Sequence, residues 1–83
     1  MKYYGSLLCP DCVEATRLIS ERGIVCQWMD ITSSMLNLKE FLALRDTREE
    51  FAPVRAEGRV GIPCFLTEDG RISFEVPAAG REA

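Results

Sequence analysis

The stretch Cys9-Pro10-Asp11-Cys12 constrains this chain more than any other. It follows a short aromatic, strand-prone run, Lys2-Tyr3-Tyr4-Gly5, and opens a segment whose apolar residues recur at helical spacing. Pro10 suits the first helical position, because the N–H it lacks has no intrahelical partner there. Cys9 then falls at the cap and Cys12 in the first turn. One helical turn holds two sulfurs within bonding reach, and the unpaired N–H groups of a helix start favour a thiolate. On this geometry Cys9 is the exposed attacking thiolate and Cys12 the shielded resolving thiol. A Cys-x-x-Cys pair can instead be half of a zinc site, but such a site needs four ligands. The chain has no histidine, and its other cysteines, Cys26 and Cys64, stand alone at unrelated spacings. Dithiol–disulfide chemistry is the better reading, and no metal is expected.

At 83 residues the chain has room for one core, so a single domain over 1–83 is expected. Its hydrophobic content of 47% is that of a folded protein. A net charge of −3 argues against a nucleic-acid or acidic-membrane partner. No run is long and apolar enough to span a bilayer, and Met1-Lys2-Tyr3-Tyr4-Gly5 is too short and polar for a secretory signal. A cytoplasmic location is therefore expected, and in that reducing compartment a Cys-x-x-Cys beside a strand–helix pattern indicates redox chemistry rather than a staple.

The first strand is expected at Lys2–Gly5, with Ser6-Leu7-Leu8 as the loop that delivers Cys9. A helix is predicted from Pro10 to Arg22, with Cys12, Ala15, Leu18 and Ile19 on its apolar face and Gly23 ending it. The mostly apolar run from Ile24 to Asp30 predicts a second, interior strand, parallel to the first through a right-handed crossover. Cys26 on that strand suits a buried small hydrophobe. Thr32-Ser33-Ser34 supplies a cap for a second helix from Met35 to Arg45, with Met35, Leu38, Phe41, Leu42 and Arg45 along one stripe. Thr47-Arg48-Glu49-Glu50 fits a capping box that starts a new helical turn, which Pro53 kinks or restarts and Gly58 closes. The charges alternating in sign from Arg45 to Arg59 suit a solvated face. Glu68-Asp69-Gly70 predicts a hairpin between strands at Cys64–Thr67 and Arg71–Phe74. The residues from Val76 to Ala83 are too few and too small for a substantial last helix.

With Cys9-Pro10-Asp11-Cys12, the Ile62-Pro63 dipeptide and this element order together, the chain resembles the glutaredoxin family over nearly its whole length. The resemblance implies a thioredoxin-like α/β fold, β-α-β-α-β-β, with a four-stranded mixed sheet and no substantial C-terminal helix. It implies that Pro63 is cis and faces the two cysteines, and that the Ile62 backbone pairs with a substrate's cysteine strand. The implied activity is thiol–disulfide oxidoreduction in cell redox homeostasis, with Cys9 and Cys12 catalytic and Pro10, Asp11, Arg59, Ile62 and Pro63 contacting substrate. No cofactor is implied beyond a thiol reductant, glutathione or another. The implied partner is a protein disulfide or a low-molecular-weight thiol.

Several positions depart from the family pattern. Ser6-Leu7-Leu8 stands where a lysine is usual, Gly61 where a threonine precedes the cis-proline, and Asp11 where an aromatic residue is usual. Ser73-Phe74-Glu75 replaces a Gly-Gly-Asp-like segment that cradles glutathione. Arg59 is the one cation well placed to meet a glutathione carboxylate. Asp11 stabilises a helix start but is a like charge beside a thiolate. Two rival readings keep the fold: a dimer sharing an iron–sulfur cluster through Cys9, and a redox-sensing interaction domain. A shortened tail also leaves an apolar face for weak self-association.

Overall fold

Tyr3 and Tyr4 leave the first strand in opposite directions, and each starts a separate core. The computed structural model describes residues 1–78. It comprises β1 (Lys2–Gly5), α1 (Pro10–Arg22), β2 (Gln27–Asp30), α2 (Met35–Thr47), a 3-10 turn (Glu49–Phe51), α3 (Ala52–Ala56), β3 (Cys64–Leu66) and β4 (Ile72–Ser73). The four strands form one mixed sheet in the order β2-β1-β3-β4. β1 runs parallel to β2 and antiparallel to β3, and β3 is antiparallel to β4. The short α3 is the extra helical turn expected before Gly58 and makes the element order β-α-β-α-α-β-β.

On one face Tyr3 stands in register with Trp28 and Phe65, and the three rings form a row across three strands. The ring centroids are 4.7 Å apart for Tyr3–Trp28 and 4.8 Å for Tyr3–Phe65. Ala15 and Ile19 of α1 pack on that row. The other face presents Tyr4, Met29 and Cys64 to Phe41 of α2, Phe51 of the 3-10 turn and Val54 of α3. Period-two alternation on the strands thus divides the apolar residues between two layers of helix.

α1 has the bounds its punctuation predicts. Pro10 starts it, and Gly23 at φ 65° ends it with its N–H turned back to the last carbonyls. The hairpin also forms as expected: Thr67 N–H donates to the Arg71 carbonyl (2.9 Å) and Gly70 N–H to the Thr67 carbonyl (3.0 Å). Pro53 restarts a helix at the N-terminus of α3, where its missing N–H costs nothing.

Other expectations are corrected. β2 is an edge strand rather than an interior one, is shorter than Ile24–Asp30, and leaves Val25 86% exposed. Cys26 is half-buried, packed at the margin of the Tyr3 cluster. The stripe of α2 is rotated: Leu38, Phe41 and Leu44 face the core, whereas Met35 is exposed and Leu42 about one-third so. No capping box forms, because α2 continues through Thr47, whose hydroxyl donates back to the Ala43 carbonyl (2.6 Å). The arginines from Arg45 to Arg55 are not a solvated face. Arg45 donates to the carbonyls of Arg59 and Val60, Arg48 to that of Gly70, and Arg55 to those of Arg45 and Arg48. Each ties down a loop or helix end through its carbonyls.

At the tail, Val76 packs against the Tyr3–Ala15–Phe65 cluster, and the Arg22 guanidinium donates to the carbonyls of Val76 (3.3 Å) and Pro77 (2.9 Å). The segment up to Ala78 therefore lies along the α1 side of the sheet. The rest of the tail, Ala79 onward, lies outside the described residues. Among the described residues no helix is long and apolar enough to cross a membrane.

Candidate active site

The loop from Gly5 to Cys9 is tied down at both ends. Ile31 N–H donates to the Gly5 carbonyl (3.0 Å), and Cys9 N–H to the Ser6 carbonyl (3.1 Å). Ser6 is buried, and its hydroxyl accepts from Leu8 N–H (3.1 Å) and pairs with Thr32 Oγ1 (3.0 Å). Thr32 Oγ1 in turn donates to Asp30 Oδ1 (2.7 Å), so the Ser6 hydroxyl is the donor to Thr32. Leu7 and Leu8 are left on the surface.

Cys9 is the N-cap of α1 in an extended conformation, φ −100° and ψ 121°. Its carbonyl accepts from the N–H groups of Cys12 and Val13, each at 3.0 Å. Its side chain makes no capping hydrogen bond, which leaves the thiol available. Cys12, one turn on, is fully buried, and all four cysteines are free thiols. A Cβ placed on Gly5 would stand 3.1 Å from Cys12 Sγ, 3.1 Å from the Tyr3 ring and 3.1 Å from Trp28. Gly5 is thus the floor on which the Cys12 sulfur rests. Desolvation pushes the Cys12 thiol up to about 11; neighbouring Cys9 adds to the rise, and the Ser6 amide and Tyr3 hydroxyl oppose it.

Cys9 opens into a groove of about 470 Å3 walled by Asp11, the segment from Gly58 to Pro63, and Phe74. The Ile62–Pro63 peptide is cis, and both residues line this groove with Cys9. Gly61 has φ +99°, and a Cβ there would lie 2.9 Å from Phe51 Cε1. The absence of a threonine at this position is therefore required by backbone and packing together. Arg45, on α2, holds the approach to Pro63 through the Arg59 and Val60 carbonyls.

Of the residues expected to contact substrate, Pro10 and Asp11 stand at the start of α1, and Arg59, Ile62 and Pro63 stand across the groove. Arg59 is already paired, its Nε donating to Glu57 (2.7 Å) on the surface. A second groove of about 380 Å3 adjoins the first at Asp11, Pro63 and Phe74, and carries Glu14, Glu75 and Arg22. Where a glutathione cradle would need free backbone donors, the Glu75 N–H is bonded to Ser73 Oγ (3.1 Å), and that hydroxyl donates to the Glu75 carbonyl (3.0 Å).

Sequence reasoning missed Tyr3, Gly5, Ser6, Arg45 and Phe74 as parts of the site. A glycine inside a strand, at Gly5, is a signal of close approach that was there to find. Nothing local distinguishes Tyr3 from any strand tyrosine.

Cys26 and Cys64 lie elsewhere. Burial, with a smaller push from Glu50 and against the pull of Arg48, drives the Cys64 thiol up to about 12 on the opposite sheet face, and burial raises Cys26 as well.

Over 68 residues the chain is 32% identical to an uncharacterized protein of Haemophilus influenzae, an overlap of 82% of this chain and 79% of the relative. No family model and no solved structure matches the chain.

Proposed function

This chain belongs to the same family as the Haemophilus influenzae protein, and from the geometry of its own site we propose that it is a glutaredoxin-like thiol–disulfide oxidoreductase of thioredoxin-like fold. The observation that carries the reading is the pairing of a half-exposed thiol at a helix start, Cys9, with a fully buried one, Cys12, beside Ile62–Pro63. The Cys9 thiolate attacks a substrate disulfide, forming a mixed disulfide and releasing one substrate thiol. Cys12 then attacks the Cys9 sulfur, the second substrate thiol leaves, and Cys9–Cys12 is left as the disulfide. A thiol reductant returns it to the dithiol form. The work belongs to cell redox homeostasis in a reducing cytoplasm.

The Ile62 backbone offers a substrate strand its hydrogen bonds, and Pro63 presents no competing N–H. Glutathione has poor purchase here: Arg59 is engaged by Glu57, the Glu75 N–H is engaged by Ser73, and carboxylates line the adjoining groove. A protein disulfide is the favoured substrate, and its turnover depends on Cys12 acting from within one helical turn.

Reduction of insulin disulfides with dithiothreitol as reductant tests this. Cys9→Ser abolishes turnover and Cys12→Ser removes most of it. If Cys12→Ser keeps full turnover of a glutathionylated peptide with glutathione as reductant, the dithiol mechanism is wrong and a glutathione-dependent one replaces it. If the Cys9–Cys12 disulfide forms without any turnover, the chain is a redox-sensing domain. A brown purified protein that bleaches in air would mark a shared iron–sulfur cluster instead.

A further inference from the structure

The resolving thiol has a difficulty that the site must solve. Cys12 is fully buried, and desolvation holds it protonated near neutrality. Yet resolution requires it as a thiolate. Around it stand the Ser6 amide, which draws the thiol down more than any other neighbour, Cys9 from its own helix start, Tyr3 from β1, which adds to the Ser6 effect, and the uncharged Trp28 from β2. Phe65 of β3 lies beyond Tyr3, and Cys26 packs at the margin of the Tyr3 cluster and acts on Tyr3. No carboxylate is among the groups acting on Cys12.

Tyr3 is 2% exposed, its ring held between Trp28 and Phe65. Its hydroxyl donates to the Cys12 carbonyl (2.9 Å) and pairs with Thr16 Oγ1 (3.1 Å). The first turn of α1 is therefore fastened to the sheet at the residue that carries the resolving sulfur. Tyr3 and Cys12 also act on each other's ionisation: the Tyr3 hydroxyl draws the Cys12 thiol down, and Cys12 pushes the Tyr3 phenol up, on top of its desolvation. Thr16, from the exposed side of α1, acts to lower Tyr3, which makes its hydroxyl a better donor.

We propose that Tyr3 is the positioning residue of the resolving step: its hydroxyl holds Cys12 over Gly5 and donates to the Cys12 sulfur as that sulfur becomes a thiolate. This rests on the oxidoreductase reading above. In the step, the Cys12 thiol releases its proton to water and its sulfur attacks Cys9 Sγ. The bond from Cys9 to the substrate sulfur breaks, and the electron pair leaves on the substrate, which takes up a proton. The Tyr3 proton stays on Tyr3 throughout, shifting its acceptor between the Cys12 carbonyl and the sulfur.

The test uses dithiobis(nitrobenzoate), whose released thiolate is coloured, on a Cys26→Ser background so that Cys9 and Cys12 report alone. Attack by Cys9 releases one coloured thiolate at a rate that scales with reagent concentration. Resolution by Cys12 releases the second at a rate independent of it. Tyr3→Phe keeps the ring and its stacking, leaves the first phase unchanged, and slows the second about tenfold, the loss of one hydrogen bond to a charged group. It also moves the pH profile of the second phase upward by about one unit. Thr16→Val, at an exposed helix position, slows the second phase in the same direction by less. Lower thermal stability of Tyr3→Phe with an unaltered second phase and pH profile overturns the proposal. Should Tyr3→Phe fail to fold, an unaltered second phase in Thr16→Val overturns it. A parent protein that releases one coloured thiolate and forms no Cys9–Cys12 disulfide overturns the oxidoreductase reading itself, and this inference with it.

Discussion

Replacing Gly61 by alanine probes how the groove wall is built. The backbone there sits at φ +99°, a region that side chains other than glycine's rarely occupy, at a strain of about 1–3 kcal/mol. The new Cβ would also stand 2.9 Å from Phe51 Cε1 and 3.1 Å from Val54 Cγ1. Phe51 is fully buried and Val54 nearly so, each packed in the core beside Phe41 and Tyr4, and Phe74 also bears edge-on against Phe51. Neither neighbour has free space to withdraw into, so overpacking adds about 1–3 kcal/mol. The sum, about 2–6 kcal/mol, is a large part of the roughly 4–12 kcal/mol expected for a domain of this length. Gly58→Ala is the control. Gly58 has φ +71° with nothing within 4 Å of a Cβ, so that variant carries the strain without the clash. Urea unfolding at neutral pH is the assay, with the midpoint falling at constant slope in both variants. Gly61→Ala is expected to lose about 1–3 kcal/mol more than Gly58→Ala, a further drop in melting temperature of about 5–20 °C. Equal losses in the two variants would refute the reasoning, since Phe51 would then be yielding rather than excluding the side chain.

The Glu40 carboxyl is held below its ordinary range first by Lys2, whose ammonium donates to it at 2.6 Å, and then by the Tyr4 hydroxyl. A depressed carboxyl contributes stability above its unfolded value of 4.5 and loses it as pH falls through the folded value. Glu40→Gln is therefore expected to cost about 1 kcal/mol or less at pH ~7, because the pair is partly solvated, and to approach the parent near pH ~3. A difference constant across that range would show that the carboxylate charge contributes nothing. In the folded protein iodoacetamide is expected to label Cys9 first and Cys26 slowly, sparing Cys12 and Cys64 until the chain unfolds. Peptide mass mapping reads this, and early labelling of Cys64 would contradict the closed packing of the α2 face.

Features governed by steric rules within a few residues were legible in the chain itself. Pro10 and Gly23 bound α1 because one can only begin a helix and the other adopts φ 65° without cost. Glu68-Asp69-Gly70 marked the hairpin for the same kind of reason, with Gly70 at φ +89°. The cysteine pair placed the candidate site, since two residues of spacing at a helix start leave one thiol outward and the other inward. The expectation that Pro63 is cis beside Cys9 came through the family resemblance rather than from local rules.

What depends on partners far along the chain was decided only in three dimensions. The apolar run before Asp30 suited an interior strand, yet β2 lies at the edge, because nothing local states that β1 takes β3 as its other neighbour. Arg45, Arg48 and Arg55 looked like solvent-facing charges, yet their donors are spent on carbonyls of helix ends and connecting loops. Gly61 looked like a lost threonine until Phe51 was seen against it. Tyr3 could be placed in a strand from its neighbours, but its hydroxyl meets Cys12 only because β1 runs beneath the first turn of α1. A backbone dihedral is set by atoms a few bonds away, and so is written locally. A hydrogen bond or a close contact between elements is set by which surfaces the whole core brings together, and only the folded chain contains that information.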